Sequence, residues 1–203
     1  MSPRPYDLGR RQPAAQRTRR RVLRAARDLL GGATRFSIDA VARRAGVARM
    51  TVYHQFGSRR GLLEALFDSF AVDGGLPERI AAAFSRPDPE DTLADIVAAF
   101  GRFWQAGRAG LRRVRALGVL DPDLGEAIEA RNERRRAVVR AVVNRLAERL
   151  PSTGDRARAE ALLYTLTSFE TFDTLAGPRR KLDDVVAAIV ELARAAVGLN
   201  PRP

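Results

Sequence analysis

The chain has no cysteine, which removes disulfides and thiolate metal sites from consideration and fits a reducing compartment. Histidine occurs once, and a lone His54 with no cysteine or second histidine gives no basis for a catalytic triad or a metal site. No paired-carboxylate motif stands out among the acidic residues, so no catalytic residue, metal ligand or cofactor is expected. No apolar run approaches the roughly 20 residues of a membrane span, and the opening MSPRPYDLGRRQPAAQRTRRR lacks the apolar stretch of a signal peptide. A soluble cytoplasmic protein with no membrane partner is therefore expected. Lysine is nearly absent too: Lys181 stands alone against 35 arginines, a bias attributed to genomic base composition more than to mechanism.

What is present is unevenly distributed. Positions 1–60 hold 15 arginines against Asp7, Asp28 and Asp39, a balance of +12, whereas positions 61–203 hold 21 basic and 21 acidic residues. A field concentrated in this way suits a polyanion-binding surface; the same charge spread evenly would argue only for solubility. With 203 residues, 45% of them apolar, the chain can bury a sizeable core as one domain or as a small head on a larger body.

The apolar pattern is helical throughout, and the fold class it predicts is all-α. Positions 1–15, rich in Pro, Gly and Arg, are expected as a mobile basic arm. A first helix covers about 16–30, with Val22, Ala26, Leu29 and Leu30 on one face and Gly31-Gly32 stopping it. A second runs from Ile38 to Ala45 after an N-cap at Ser37, Gly46 ends it, and a third covers about 49–55. Ser58 is placed to cap a fourth, without the Glu or Gln at position 61 that a capping box requires. The body, 61–203, continues with a helix marked by Leu62, Leu63, Leu66, Phe67 and Phe70, then a short helix before Pro87. Leu93, Ile96, Val97, Phe100, Phe103 and Trp104 mark another at i, i+3, i+4 spacing. Two more flank Asp121-Pro122, the second reaching about Leu150, and a last pair covers about 155–176 and 182–197. The total is about nine helices.

From Ile38 to Phe56 the spacing is that of a helix-turn-helix, assigning 16–60 to a DNA-binding domain. Ala42 is small where two helices cross, Gly46 permits the turn, and Val47 and Val52 fill the space between them. In such a unit the second helix enters the major groove of double-stranded DNA. The run Phe36-Ser37-Ile38-Asp39-Ala40-Val41-Ala42, then Ala45-Gly46-Val47-Ala48-Arg49-Met50-Thr51-Val52-Tyr53-His54-Gln55-Phe56 and Ser58-Arg59-Arg60-Gly61-Leu62-Leu63, resembles the DNA-binding head of the TetR family of bacterial transcription regulators over about 17–66. The resemblance implies that Arg49, Met50 and Thr51 face base edges, with Arg49 suited to guanine and Met50 or Thr51 to a thymine methyl. It implies that Tyr53, His54, Ser37 and Arg59 touch phosphates or the groove edge, and Arg17, Arg19, Arg20 and Arg21 suit an arm steered to DNA. Two departures stand out. Ala48 replaces the Ser that often caps the recognition helix, and Asp39 lies in the first turn of its partner helix, where it complements the dipole or accepts from cytosine.

The body carries the remaining expectations. Phe67, Phe70, Phe100, Phe103, Trp104, Phe169 and Phe172 are either core or, as the resemblance implies, partly the lining of a small-molecule effector pocket. Arg135 falls on an apolar stripe with Leu124, Ile128, Val139, Val142 and Leu146, flanked by Arg131 and Asn132. Such a charge must be paired, for instance with Asp173, be solvated in a cavity or reach out to water, and its functional reading is recognition of an anionic effector. A homodimer follows from the two-fold symmetry of operators, and the last two helices are its candidate interface. One stripe is Leu162, Leu166, Phe169 and Phe172; the other is Val186, Ile189, Val190, Ala193 and Val197, and both suit intramolecular core as well. The resulting reading is a repressor released by its ligand; a transcription activator of the same fold, a helical enzyme and a membrane-surface binder are the alternatives.

Overall fold

Residues 11–32, 36–150 and 152–199 are described by the structure, a computed structural model, and among them the regular elements are all helical. Ten α-helices occur: α1 Arg11–Gly31, α2 Ile38–Ala45, α3 Arg49–Phe56, α4 Arg59–Asp73, α5 Leu76–Phe84, α6 Pro89–Gly118, α7 Pro122–Arg145, α8 Thr153–Leu166, α9 Phe169–Ala176 and α10 Val186–Ala196. Single 3-10 turns, Ala147–Arg149 and Asp183–Val185, follow α7 and precede α10.

The chain packs as two units, one of residues 1–69 with 117–127 and one of 70–116 with 128–203. In the first, Val22, Ala26 and Leu30 of α1, Val41 and Ala42 of α2, Val52 of α3, and Leu62, Leu63 and Leu66 of α4 are buried. Leu124 and Ala127 of α7 are buried as well and belong to this same unit. In the second, Leu93, Ile96, Val97, Phe100 and Trp104 of α6 share a core with Val139, Val142 and Leu146 of α7, Leu163 of α8, Phe172 of α9 and Ile189 of α10. Packing is tight at Gly101, where an added Cβ would lie 2.8 Å from the Phe172 ring and 2.9 Å from Val186 Cγ2.

Several helix limits differ from expectation for local reasons. The segment 11–15, expected in the arm, is helical, and Pro13 is tolerated there because it falls in the first turn, where no amide donor is needed; residues 1–10 lie outside the described residues. Helix α6 runs unbroken through Gly107 and Gly110 for 30 residues, where two helices were expected. Glycine weakens a helix by about 1 kcal/mol relative to alanine, and the buried stripe on either side outweighs that. The helix expected over 155–176 is instead two, because the Ser168 hydroxyl accepts from the Thr171 amide and starts α9 afresh.

Candidate functional site

The helix-turn-helix is built from sequence-local causes. Ser37, in extended backbone, caps α2 by accepting from the Ala40 amide at 3.2 Å. Gly46 closes α2 in the left-handed region at φ 62, and its amide donates to the carbonyls of Ala42 and Arg43. Helix α3 then begins after Ala48 with no side-chain cap. Ser58 caps α4 by accepting from the Gly61 amide at 3.0 Å. Gly61 has its own reason: a Cβ there would meet the Phe56 carbonyl oxygen at 2.1 Å, which rules out the Glu of a capping box.

On α3, Val52 is buried and Tyr53 and Thr51 half-buried, while Arg49, Met50 (59% exposed) and His54 stand in solvent. The Arg49 guanidinium is not loose. Nη1 donates to both carboxylate oxygens of Asp39 at 3.2 Å, and Nη2 donates to the Tyr53 hydroxyl at 3.2 Å. The hydrogen bond from Arg49 to Tyr53, then the charge of Asp39, raises the Arg49 pKa further and keeps it a fixed cation. Asp39 thus pairs with the first residue of the recognition helix besides sitting at the N-terminus of its own helix.

Two arginines expected at the phosphates are otherwise engaged. Arg59 donates from Nη1 to Asp121 and Asp123 at 2.8 Å, from Nη2 to Asp121 again, and lies 5.5 Å over the Phe36 ring. Asp121 in turn caps α7 by accepting from the Leu124 amide at 3.2 Å. The Asp121 hydrogen bond, opposed by burial, holds Arg59 well above the ordinary arginine pKa, and Arg59, expected at a phosphate, is engaged by Asp121 and Asp123 within the first unit. Arg19 donates to the Gln55 carbonyl at 2.9 Å and stacks 4.5 Å over Phe56, sealing the C-terminal end of α3. Arg17, Arg20 and Arg21 remain exposed along α1.

In the body, Phe100, Phe103 and Phe169 surround Trp104 at centroid distances of 6.0, 4.8 and 6.0 Å, and the Trp104 indole donates to the Thr167 carbonyl at 3.0 Å. Phe70 is half-buried in this unit, and Phe67 is buried in the other. Arg135 is 5% exposed. Its Nη1 donates to the Tyr164 carbonyl and, at 3.1 Å, to the Thr167 hydroxyl, and its guanidinium lies 3.9 Å over the Tyr164 ring. Asp173 is not its partner. That carboxylate accepts from Arg108 Nε at 2.7 Å and Arg112 Nε at 2.8 Å. Burial opposes its charge, and these two hydrogen bonds outweigh the burial and hold Asp173 below the usual carboxylate range. Burial likewise pushes the Arg135 pKa down, to about 10, leaving it a cation at neutral pH. Asn132, buried beside it in sequence, accepts from Arg115 at 3.5 Å and donates to Glu129 at 3.1 Å; Arg131 is half-buried.

Set beside known proteins, residues 22–66 match the family model described as bacterial regulatory proteins, tetR family. The match covers the helix-turn-helix head and not the body. A putative fatty acid metabolism regulator of Clostridium perfringens is similar over 90% of this chain and 100% of its own, with 14% identity and a TM-score of 0.63. FadR from Bacillus subtilis, solved with stearoyl-CoA, covers 87% and 98% at 15% identity and 0.63. NalD, the secondary repressor of the MexAB-OprM efflux pump in Pseudomonas aeruginosa, covers 90% and 96% at 22% identity and 0.63. The fold is thus that of tetR-family regulators along most of the chain. Comparison with curated proteins finds none that matches. Among the described residues no helix is long and apolar enough to cross a membrane.

Most positions of the expected dimer stripes are taken up by the chain's own core. Phe172, Ile189, Ala193 and Val197 are buried in the core of the single chain, as is Phe169, while Leu166, Val186 and Val190 pack against that core. The free apolar positions lie on the opposite face: Leu162 (37% exposed) and Ala161 on α8, and Ala187, Ala188, Leu192 (49% exposed) and Ala195 on α10. The sequence signal was present, since Glu191 is the only polar residue among the five exposed positions of α10, but two apolar stripes cannot be ranked without knowing which one the core takes. Asp121 and Asp123 were missed for a related reason: partners of Arg59 more than 60 residues away leave no local pattern.

Proposed function

We propose that the chain is a homodimeric, sequence-specific DNA-binding transcription regulator, a cytoplasmic repressor that leaves a palindromic operator when a small molecule binds its body. The observation that carries the reading is the exposed row Arg49, Met50 and His54 on a helix held by a left-handed Gly46 turn, in the part of the chain that holds the net positive charge. Arg49 would read a guanine, Met50 or Thr51 a thymine methyl, and Ser37, Tyr53 and His54 would lie near the backbone, with Arg17, Arg20 and Arg21 adding field. A second copy of the chain would dock on the outer faces of α8 and α10, where four of five exposed α10 positions are apolar. NalD is a repressor and FadR was captured with an acyl-CoA, which supports repression and an effector in the body without fixing either.

Selection of duplexes from a random pool tests this reading. Enrichment of an inverted repeat with half-sites one helical turn apart, about 10 base pairs centre to centre, is expected. Recovery of generic DNA with no enriched site contradicts it. A reporter driven from the selected site then separates repressor from activator by the direction of the change on deleting the regulator.

A further inference from the structure

We propose that the Nε–Nη2 edge of Arg135 is a receptor for the carboxylate of a singly charged amphiphile whose apolar body lies toward the Trp104 and Phe169 aromatic group. The argument starts from which donors are already engaged. Among the described residues both hydrogen bonds of this side chain leave from Nη1, to the Tyr164 carbonyl and the Thr167 hydroxyl. The Nε donor is buried and meets no acceptor, and the residue makes no ion pair among the described residues. Nε–H and one Nη2–H are parallel, and together they form the edge that a planar carboxylate meets with two bonds at once. Anchoring Nη1 and stacking the plane on Tyr164 hold that edge in one orientation.

Charge decides between anions. Arg115 beside this group is paired with Glu170 at 3.3 Å, and Arg136, on the same Tyr164 ring, is paired with Glu133 at 3.3 Å. Of these three arginines, Arg135 alone makes no ion pair among the described residues. A monoanion compensates it, whereas a dianionic phosphate ester would bring a second, uncompensated charge out of water. The apolar part follows from the neighbours: Thr167, which accepts from Arg135, is the residue whose carbonyl accepts from Trp104, and Trp104 meets Phe103 and Phe169.

The inference rests on the effector reading above, yet its test needs no DNA. Trp104 is the only tryptophan, so its fluorescence reports this site alone. Octanoate and 4-phenylbutyrate are titrated into the full chain beside 1-octanol, 4-phenylbutan-1-ol and octyl phosphate, with calorimetry as the second readout. The acids are expected to bind at least about tenfold tighter than the alcohols, as a bidentate charge-assisted pair gives, and tighter than octyl phosphate. In Arg135→Gln, checked for fold by circular dichroism, acid and alcohol should bind alike, and Arg135→Lys should recover only part of the preference. Equal binding of acid and alcohol to the wild-type protein, no saturable acid binding at millimolar concentration, or a preference that survives Arg135→Gln overturns the proposal. Arg135-dependent acid binding that leaves operator affinity unchanged would uphold it and defeat the effector reading instead; selective DNA binding with no acid binding does the reverse.

Discussion

The two units use arginine differently. In the body several guanidinium groups are turned to the protein itself: Arg108 and Arg112 share Asp173, Arg145 donates to the carbonyls of Phe84 and Arg86 at the end of α5, and Arg194 pairs with Glu90 at 2.8 Å. In the head, Arg17, Arg20 and Arg21 are left in solvent, and Arg49 is held by Asp39 and Tyr53 while still exposed. The net charge lies in the head, and there Arg59 and Arg19 are engaged by partners within the chain. Arg135 differs from the body arginines named above, being buried with no ion pair to a carboxylate among the described residues.

Substitutions can break this contrast. The largest effect is expected at Ile189→Asp, which buries an unpaired charge in the body and should cost about 3–5 kcal/mol of stability, whereas Leu192→Asp should leave the melting temperature nearly unchanged and yield a monomer. Sedimentation and thermal melts together check both; a folded monomer from Ile189→Asp would return the dimer interface to the buried stripe.

Next comes the recognition helix. Arg49→Ala should remove about 1–3 kcal/mol of discrimination at one base position of each half-site. If Asp39 acts by positioning Arg49, Asp39→Asn relaxes preference at that same position in the wild-type background and has no further effect on preference in Arg49→Ala. Additive losses in binding selections with the double mutant would instead give Asp39 its own base contact.

Packing gives a third test. Gly101→Ala should destabilise the body by about 1–3 kcal/mol, since neither the Phe172 ring nor Val186 can retreat easily from a methyl group at that point. Urea unfolding measures it, and an unchanged midpoint would mean that α6 and α9 can separate at little cost.

Two smaller effects concern ion pairs. Arg59→Ala should lower stability by about 1 kcal/mol, since the clamp is partly exposed, and leave the salt dependence of DNA binding unchanged. A salt slope flattened by one unit would restore Arg59 to the phosphates. Asp173 has its carboxyl held low in the folded protein, so its contribution is complete above the ordinary carboxylate pKa and is lost as pH falls through the lower folded value. Asp173→Asn should therefore remove part of the loss of stability seen on acidification, measured as melting temperature against pH.

The helix-turn-helix was legible because its causes are local. Ser37, Gly46 and Ser58 act within three or four residues of themselves, and α2 has the limits its sequence indicates. The body was legible as helices and apolar stripes but not as contacts. The apolar spacing marked α6 only from Leu93 to Trp104, and the packing that carries the helix on past Gly107 and Gly110 is not visible in sequence, while Ser168, an N-cap by chemistry, was hidden inside an unbroken apolar period. Pairings such as Arg108 with Asp173, or Arg59 with Asp121, depend on which helices meet, and many arginines compete for each carboxylate.

The central claim, that the exposed side chains of α3 read sequence while the rest of the charge supplies affinity, is tested most directly by running the duplex selection with wild-type protein and Arg49→Ala in parallel. The expected result is one inverted repeat from both, with preference lost from the variant at a single symmetric pair of positions and the other positions intact. An unaltered repeat from Arg49→Ala, or no enriched repeat from the wild-type protein, contradicts it.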